Sequence, residues 1–326
     1  MTSPKTSDGT ARRTSDLVCI GGAAINRKYH AKGALIAGTS NPATTNQSFG
    51  GVARNVAETL ARLQKAVALV SLVGEDEAGR AIFHHLSELG VDVGQVAVSP
   101  MSATAEYAAI LDGTGDLHIA MAAMDALEAI TPAMLVSAWP HIAASRWIFA
   151  DCNLPEATLH ALLQGKAGAK LAVNTVSVPK AVRLPDDLSA IDVLFTNAGE
   201  AKAMLGINTN APSDLTTGLR QRGANAVVLT LGADGHLVAD DTGTHQVKAL
   251  DAHTVDVTGA GDALMSGTLY GLMNGQSLVD ASRLGAVLAT FTLESEQDVL
   301  PDLTPAWLES QTDRLARITS RKLPIS

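Results

Sequence analysis

The chain reads as an α/β protein built on a mostly parallel sheet, and three features of its 326 residues predict this. Short β-rich runs alternate with Ala/Leu-rich runs at helical spacing, the trace that successive β-α units leave in a sequence. Hydrophobic residues make up 46% of the chain, enough to bury a large core around such a sheet. One turn-rich region interrupts the alternation, which predicts a small second sheet standing off the main one.

Residues 1–16 are polar and lack an apolar run, so they are expected to form a flexible tail rather than a secretory signal. Residues 17–320 are expected to form one domain. Its first strand falls on Leu17 to Ile20, followed by helical spacing from Val52 to Leu63, a strand from Ala66 to Val73 and a helix from Gly79 to Leu89. Thr104 to Leu111 and Leu117 to Met121 flank Asp112-Gly113-Thr114-Gly115, the pattern of a β-hairpin with a Gly-rich turn. With the polar, turn-rich segment Asn26 to Phe49, this hairpin (about 104–121) is expected to make a β-lid. A strand from Trp147 to Ala150, a helix from Glu156 to Leu163, and strands at Leu171 to Val173, Val193 to Thr196 and Ala226 to Leu231 follow. Two long helices, Ala260 to Met273 and Leu278 to Leu293, close the core.

Composition excludes several functions. A net charge of −9 without a long Lys/Arg run does not suit a nucleic-acid or anionic-membrane surface, since both need a concentrated positive field. No stretch reaches the roughly 18 apolar residues of a membrane-spanning helix, and a cytoplasmic location is expected. Cys19 and Cys152 lie in separate apolar runs and are expected to be reduced core thiols. The nine histidines do not cluster as metal ligands.

Four motifs carry chemistry. Asp256-Val257-Thr258-Gly259-Ala260-Gly261-Asp262 runs directly into a helix. Its small residues let the backbone approach a ligand, and the free amides of a helix N-terminus attract an anion such as phosphate. Asp262 beside that anion hole is a candidate base for moving a phosphoryl group onto an alcohol. Phe49-Gly50-Gly51-Val52-Ala53-Arg54-Asn55 opens a helix, and Asn55 in an apolar turn calls for a polar partner such as a bound polyol. Asn197-Ala198-Gly199-Glu200 follows the Val193 strand, at the end of a sheet where ligands collect. There Glu200 either favours the helix start or, with Asn197, organises Mg²⁺ and its waters. Thr230-Leu231-Gly232-Ala233-Asp234-Gly235 is a strand and Gly turn across which a nucleotide can lie.

In this order, over about residues 17–310, the four motifs resemble the ribokinase-like (PfkB) kinase family. The resemblance implies ATP and Mg²⁺ as cofactors, Asp262 as catalytic base, and Gly259, Ala260 and Gly261 as the anion hole. It further implies Asn197, Thr230, Gly232 and Gly235 on the nucleotide, and Glu200 on Mg²⁺ through water. Asp256 resembles the position that helps hold a monovalent cation, often K⁺. Asn26, Gly50, Gly51, Arg54 and Asn55 are expected on the acceptor side.

Within the family the chain is most similar to pseudouridine kinases, which phosphorylate the 5′-hydroxyl of a C-nucleoside. The similarity rests on Thr39-Ser40-Asn41-Pro42, Gly50 to Asn55, Ala150-Asp151-Cys152-Asn153-Leu154, Val176-Ser177-Val178-Pro179-Lys180 and Glu294-Ser295-Glu296. Departures fall on the acceptor side. Ala24-Ile25-Asn26 replaces the family's N-x-D, Asn174-Thr175 its D-P, and Ala123 an expected lid Asp. These keep open a kinase of another nucleoside or pentose, and a non-catalytic nucleotide-binding protein. A neutral Asn26 bonds a hydroxyl with less charge assistance, so Asn26→Asp is expected to strengthen acceptor binding. A lid sheet has edges to protect, and pairing across a two-fold axis predicts a homodimer.

Overall fold

The structure, a computed structural model, describes residues 15–166 and 168–324. The strands are β1 Leu17–Ile20, β2 Ala24–Ala31, β3 Ala43–Gly50, β4 Val67–Gly74, β5 Asp92–Ser99, β6 Ala105–Leu111 and β7 Leu117–Ala123. They continue with β8 Trp147–Asp151, β9 Lys170–Asn174, β10 Val193–Asn197, β11 Val227–Thr230, β12 His236–Asp240, β13 Gly243–Val247 and β14 Ser320–Lys322. Ten of them form one sheet in the order β14-β13-β12-β11-β10-β9-β8-β1-β4-β5.

From β11 to β5 every neighbouring pair in that sheet is parallel, while β12, β13 and β14 add antiparallel strands at one edge. The parallel strands are near-continuous apolar runs because helices cover both faces. Period-2 alternation divides their side chains between two cores. Leu17 and Cys19 face one with Val56, Leu60 and Leu269, and Val18 and Ile20 face the other with Leu159 and Leu215. Both cysteines are free and buried.

The second sheet has the order β3-β2-β6-β7. β2 pairs antiparallel with β3 and parallel with β6, and β6 pairs antiparallel with β7. Its strands lie on the turn-rich segment and the hairpin noted in the sequence. Residues 1–14 of the expected tail lie outside the described residues. Asp16, the last residue of that expected tail, lies in a bend just before β1; its backbone bonds to Ala66 and Trp147, and its carboxylate accepts from Ala66 N–H. Among the described residues no helix is long and apolar enough to cross a membrane.

Candidate active site

The C-terminal end of β11, with β10 beside it, shares a cavity with the N-terminus of the Ala260–Met273 helix. Gly259 caps that helix at φ 78°, a left-handed conformation, and a Cβ there would overlap the Asp298 carbonyl. The amides of the first turn have no intrahelical acceptor, so they form a local anion-attracting surface. Asp262 lies in this turn, and its Oδ2 accepts from Asn55 Nδ2 at 2.6 Å. Desolvation raises its pKa to about 7, with Asp298 and Asp151 adding to the rise against the Asn55 bond and Arg54. A carboxyl titrating near neutrality beside free amides can take a proton from a hydroxyl while the amides face an anion.

Helix Val52–Arg62 brings Asn55 there from Gly51, its N-cap, where φ is 94° and a Cβ would overlap the Gly22 carbonyl. Asp151, fully buried at the end of β8, ties this crossing together. Its Oδ2 accepts from Gly22 N–H and Ala53 N–H at 2.9 Å each, and its Oδ1 from Asn153 N–H at 2.9 Å. Arg54, expected on the acceptor side, lines a cavity with Ser48, Phe49 and Asp298. It is 1% exposed, and its guanidinium bonds to the carbonyls of Gly50 (3.0 Å) and Phe49 (2.8 Å), to Glu58 and to Asn55. A buried cation needs such internal acceptors, so Arg54 braces the Gly50-Gly51 turn.

The small sheet reaches this turn through one face of β2. Asn26 Nδ2 donates to Asp298 Oδ2 at 2.6 Å, and Ser48, opposite Asn26 in the β2/β3 register, approaches the same oxygen at 3.4 Å. Asp298 is 3% exposed; burial pushes its carboxyl above the ordinary range against the pull of Lys28, Asn26 and Arg54. This neighbour reverses the expectation for Asn26→Asp, since the new carboxylate would meet another at hydrogen-bonding distance. Two residues along β2, the Lys28 ammonium pairs with Asp256 Oδ2, while Asp256 Oδ1 accepts from Thr258 N–H (2.9 Å) and Oγ1 (2.7 Å). Burial acts to raise Asp256, but these donors outweigh it and hold the carboxyl below its ordinary value. Where a monovalent cation was expected, Asp256 thus faces an ammonium of the same single charge. Ala123, at the end of exposed β7, pairs in register with Glu106, which is bridged to Arg27.

On the other side of the Gly259 turn a cavity of about 430 Å³ is lined by Thr230, Gly232, Gly235, His236, Ala260 and Gly261. Two motifs separated in sequence therefore share one cavity, and Asn197 stands beside Thr230 in the β10/β11 register. Asn197 and Glu200 form a capping box on the Ala198–Leu205 helix, with Glu200 N–H donating to Asn197 Oδ1 at 2.9 Å. Glu200 is 5% exposed and accepts from Asn197 N–H (3.1 Å), Asn197 Nδ2 (2.7 Å) and Thr175 Oγ1. The helix-start reading of Glu200 is thus realised in the geometry. No group of three or more His, Cys, Asp or Glu converges on a metal site among the described residues. Asn197 and Glu200 carry oxygen atoms, the donor type that a hard cation such as Mg²⁺ takes directly or through its waters.

Sequence reasoning passed over four residues here: Lys28, Asp151, His236 and Asp298. Among the described residues His236 Nε2 has no hydrogen-bond partner, and burial lowers the imidazole to about 4, so the ring is neutral at the cavity wall. Asp151 fell inside a stretch noted for similarity, and the others carry no periodic or motif signal.

The chain matches the pfkB family carbohydrate kinase description over residues 14–304. It is 31% identical over 299 residues to the pseudouridine kinase of Escherichia coli, covering 90% of this chain and 96% of that protein. A carbohydrate kinase from Agrobacterium tumefaciens superposes with TM-score 0.82 at 32% identity, covering 94% of this chain and 99% of that one. Arabidopsis thaliana ribokinase complexed with ribose and ATP shares the fold at TM-score 0.82 and 20% identity, over 93% and 99% of the two chains. The chain therefore belongs to the pfkB family of carbohydrate kinases and is an ATP-dependent kinase of a sugar or nucleoside.

Proposed function

We propose that the protein transfers the γ-phosphate of ATP to the 5′-hydroxyl of a nucleoside, with pseudouridine as the acceptor. The observation that carries this reading is the Asp262 carboxylate, held by Asn55 at the open N-terminus of the Ala260–Met273 helix. Asp262 takes the acceptor proton, and the amides of Gly259, Ala260 and Gly261 neutralise charge on the moving phosphoryl group. Thr230, Gly232 and Gly235 line the nucleotide side, with Asn197 and Glu200 toward the phosphates. Glu200 and Asn197 would hold Mg²⁺ through its waters, and the ion would supply charge that offsets the phosphates. Asn26, Gly50, Gly51 and Asn55 form the acceptor side, and the small sheet serves as its lid. The similarity to the Escherichia coli pseudouridine kinase supports the choice of acceptor. The neutral Asn26 and Ala123 favour, as a second reading, another nucleoside or a pentose.

The test is ADP release over a panel of pseudouridine, other nucleosides and pentoses, with the product identified by mass spectrometry. Pseudouridine is expected to give the highest kcat/KM and a 5′-phosphate. A pentose turned over more efficiently would replace the nucleoside reading, and ATP binding without turnover of any acceptor would sink it. We further infer a homodimer joined through the small sheet.

A further inference from the structure

We propose that Asp298 is a positioning residue for the acceptor, acting through Asn26 so that the two side chains together restore the anionic clasp that Asn26 alone lacks. This deepens, and rests on, the acceptor site assigned above. Asp298 is buried in the segment after the last long helix, and its backbone packs against the Gly259 turn. Its Oδ2 accepts from Asn26 Nδ2 at 2.6 Å and lies 3.4 Å from Ser48 Oγ. An ionised carboxylate can only accept, so the amide nitrogen must face it. The Asn26 oxygen is thereby turned away from Asp298, leaving it to accept from an acceptor hydroxyl. A Cβ on Gly50 would overlap the Asn26 amide, so the absence of a side chain at Gly50 makes room for this orientation. A hydrogen bond to a charged partner polarises the amide, giving its oxygen part of the strength of the carboxylate it replaces.

The negative charge is thus moved one residue outward. It predicts an outcome that packing alone does not: the charge can be placed on either member of the pair, but not on both or neither. Asn26→Asp places two carboxylates together, Asp298→Asn leaves two neutral amides, and the double variant restores one of each. The experiment measures kcat/KM for the acceptor that the wild type turns over best, KM for ATP, and the melting temperature of each variant.

Each single substitution is expected to lower acceptor kcat/KM by about 10-fold at about pH 8, with KM for ATP within about twofold. The double variant should recover to within about threefold of wild type. If a single variant fails to fold, the double variant decides alone. A double variant no better than the poorer single, or KM for ATP rising in step with the acceptor's, overturns the role of Asp298. A wild type that turns over nothing in the panel overturns the kinase reading itself, and this proposal with it.

Discussion

Removing a general base typically slows a reaction by about 10²-fold or more, and Asp262 is where that loss is expected. Asp262→Asn keeps the shape and the Asn55 contact, so ATP affinity by calorimetry should change little while kcat falls by about 10²-fold. Near-normal kcat would remove Asp262 from the role. Because the Asp262 carboxyl is raised to about 7, kcat/KM should climb with pH and level off above neutrality. A flat profile between about pH 5 and 8 would place the base elsewhere. The same shift has an opposite effect on stability. Between the ordinary value of 3.8 and about 7 the folded chain holds a proton that the unfolded chain has released, so this group's contribution weakens as pH rises through that window. Asp262 was legible in the sequence because two glycines and a helix start frame it. Asp298 was not, because its importance comes from a neighbour 272 residues away in the chain, Asn26.

The Ala198–Leu205 helix separates two roles that its motif left undecided. Gln can serve at the third position of a capping box, but its amide nitrogen would face one of the donors that the carboxylate accepts, so Glu200→Gln should lower the melting temperature by no more than Glu200→Ala does. Half-saturating Mg²⁺ should rise in the same variant, because water bound to the metal loses a charged partner. Glu200→Ala, which deletes the reciprocal cap, should lose about 1 kcal/mol of stability in denaturant unfolding. If Glu200→Gln leaves the Mg²⁺ requirement unchanged, the residue only caps the helix. Apolar runs betrayed the interior parallel strands, since burial on both faces leaves no polar alternation to confuse the reading, whereas the parallel edge strand β5, only partly buried, was not foreseen. The antiparallel edge was harder. β14 is Ser320, Arg321 and Lys322, all exposed, and only its pairing with β13 makes it a strand. Helix Pro132–Ala144 was also hidden, because it carries Pro140 in its interior, where proline ordinarily reads as a break.

At the scale of the molecule, β7 is an edge strand with every residue exposed, and Leu117, Ile119 and Met121 alternate along one of its faces. An exposed apolar edge favours association, and a second copy related by a two-fold axis would cover both edges at once. Light scattering at micromolar protein should report a dimer, and Ile119→Asp with Met121→Asp should convert it to a monomer of unchanged melting profile. A wild-type monomer would refute the assembly. The bonds between β2 and the phosphate-facing loops have a thermodynamic corollary. Asn26 and Lys28 ride on one strand, while their partners Asp298 and Asp256 flank the Gly259 turn, proposed above as the anion hole. If occupancy on the acceptor side tightens these contacts, it raises affinity on the phosphate side, and linkage requires the reverse effect to be equally large. Such reciprocity would make the chain a poor ATPase in the absence of acceptor, because water cannot engage the strand that completes the far side of the site.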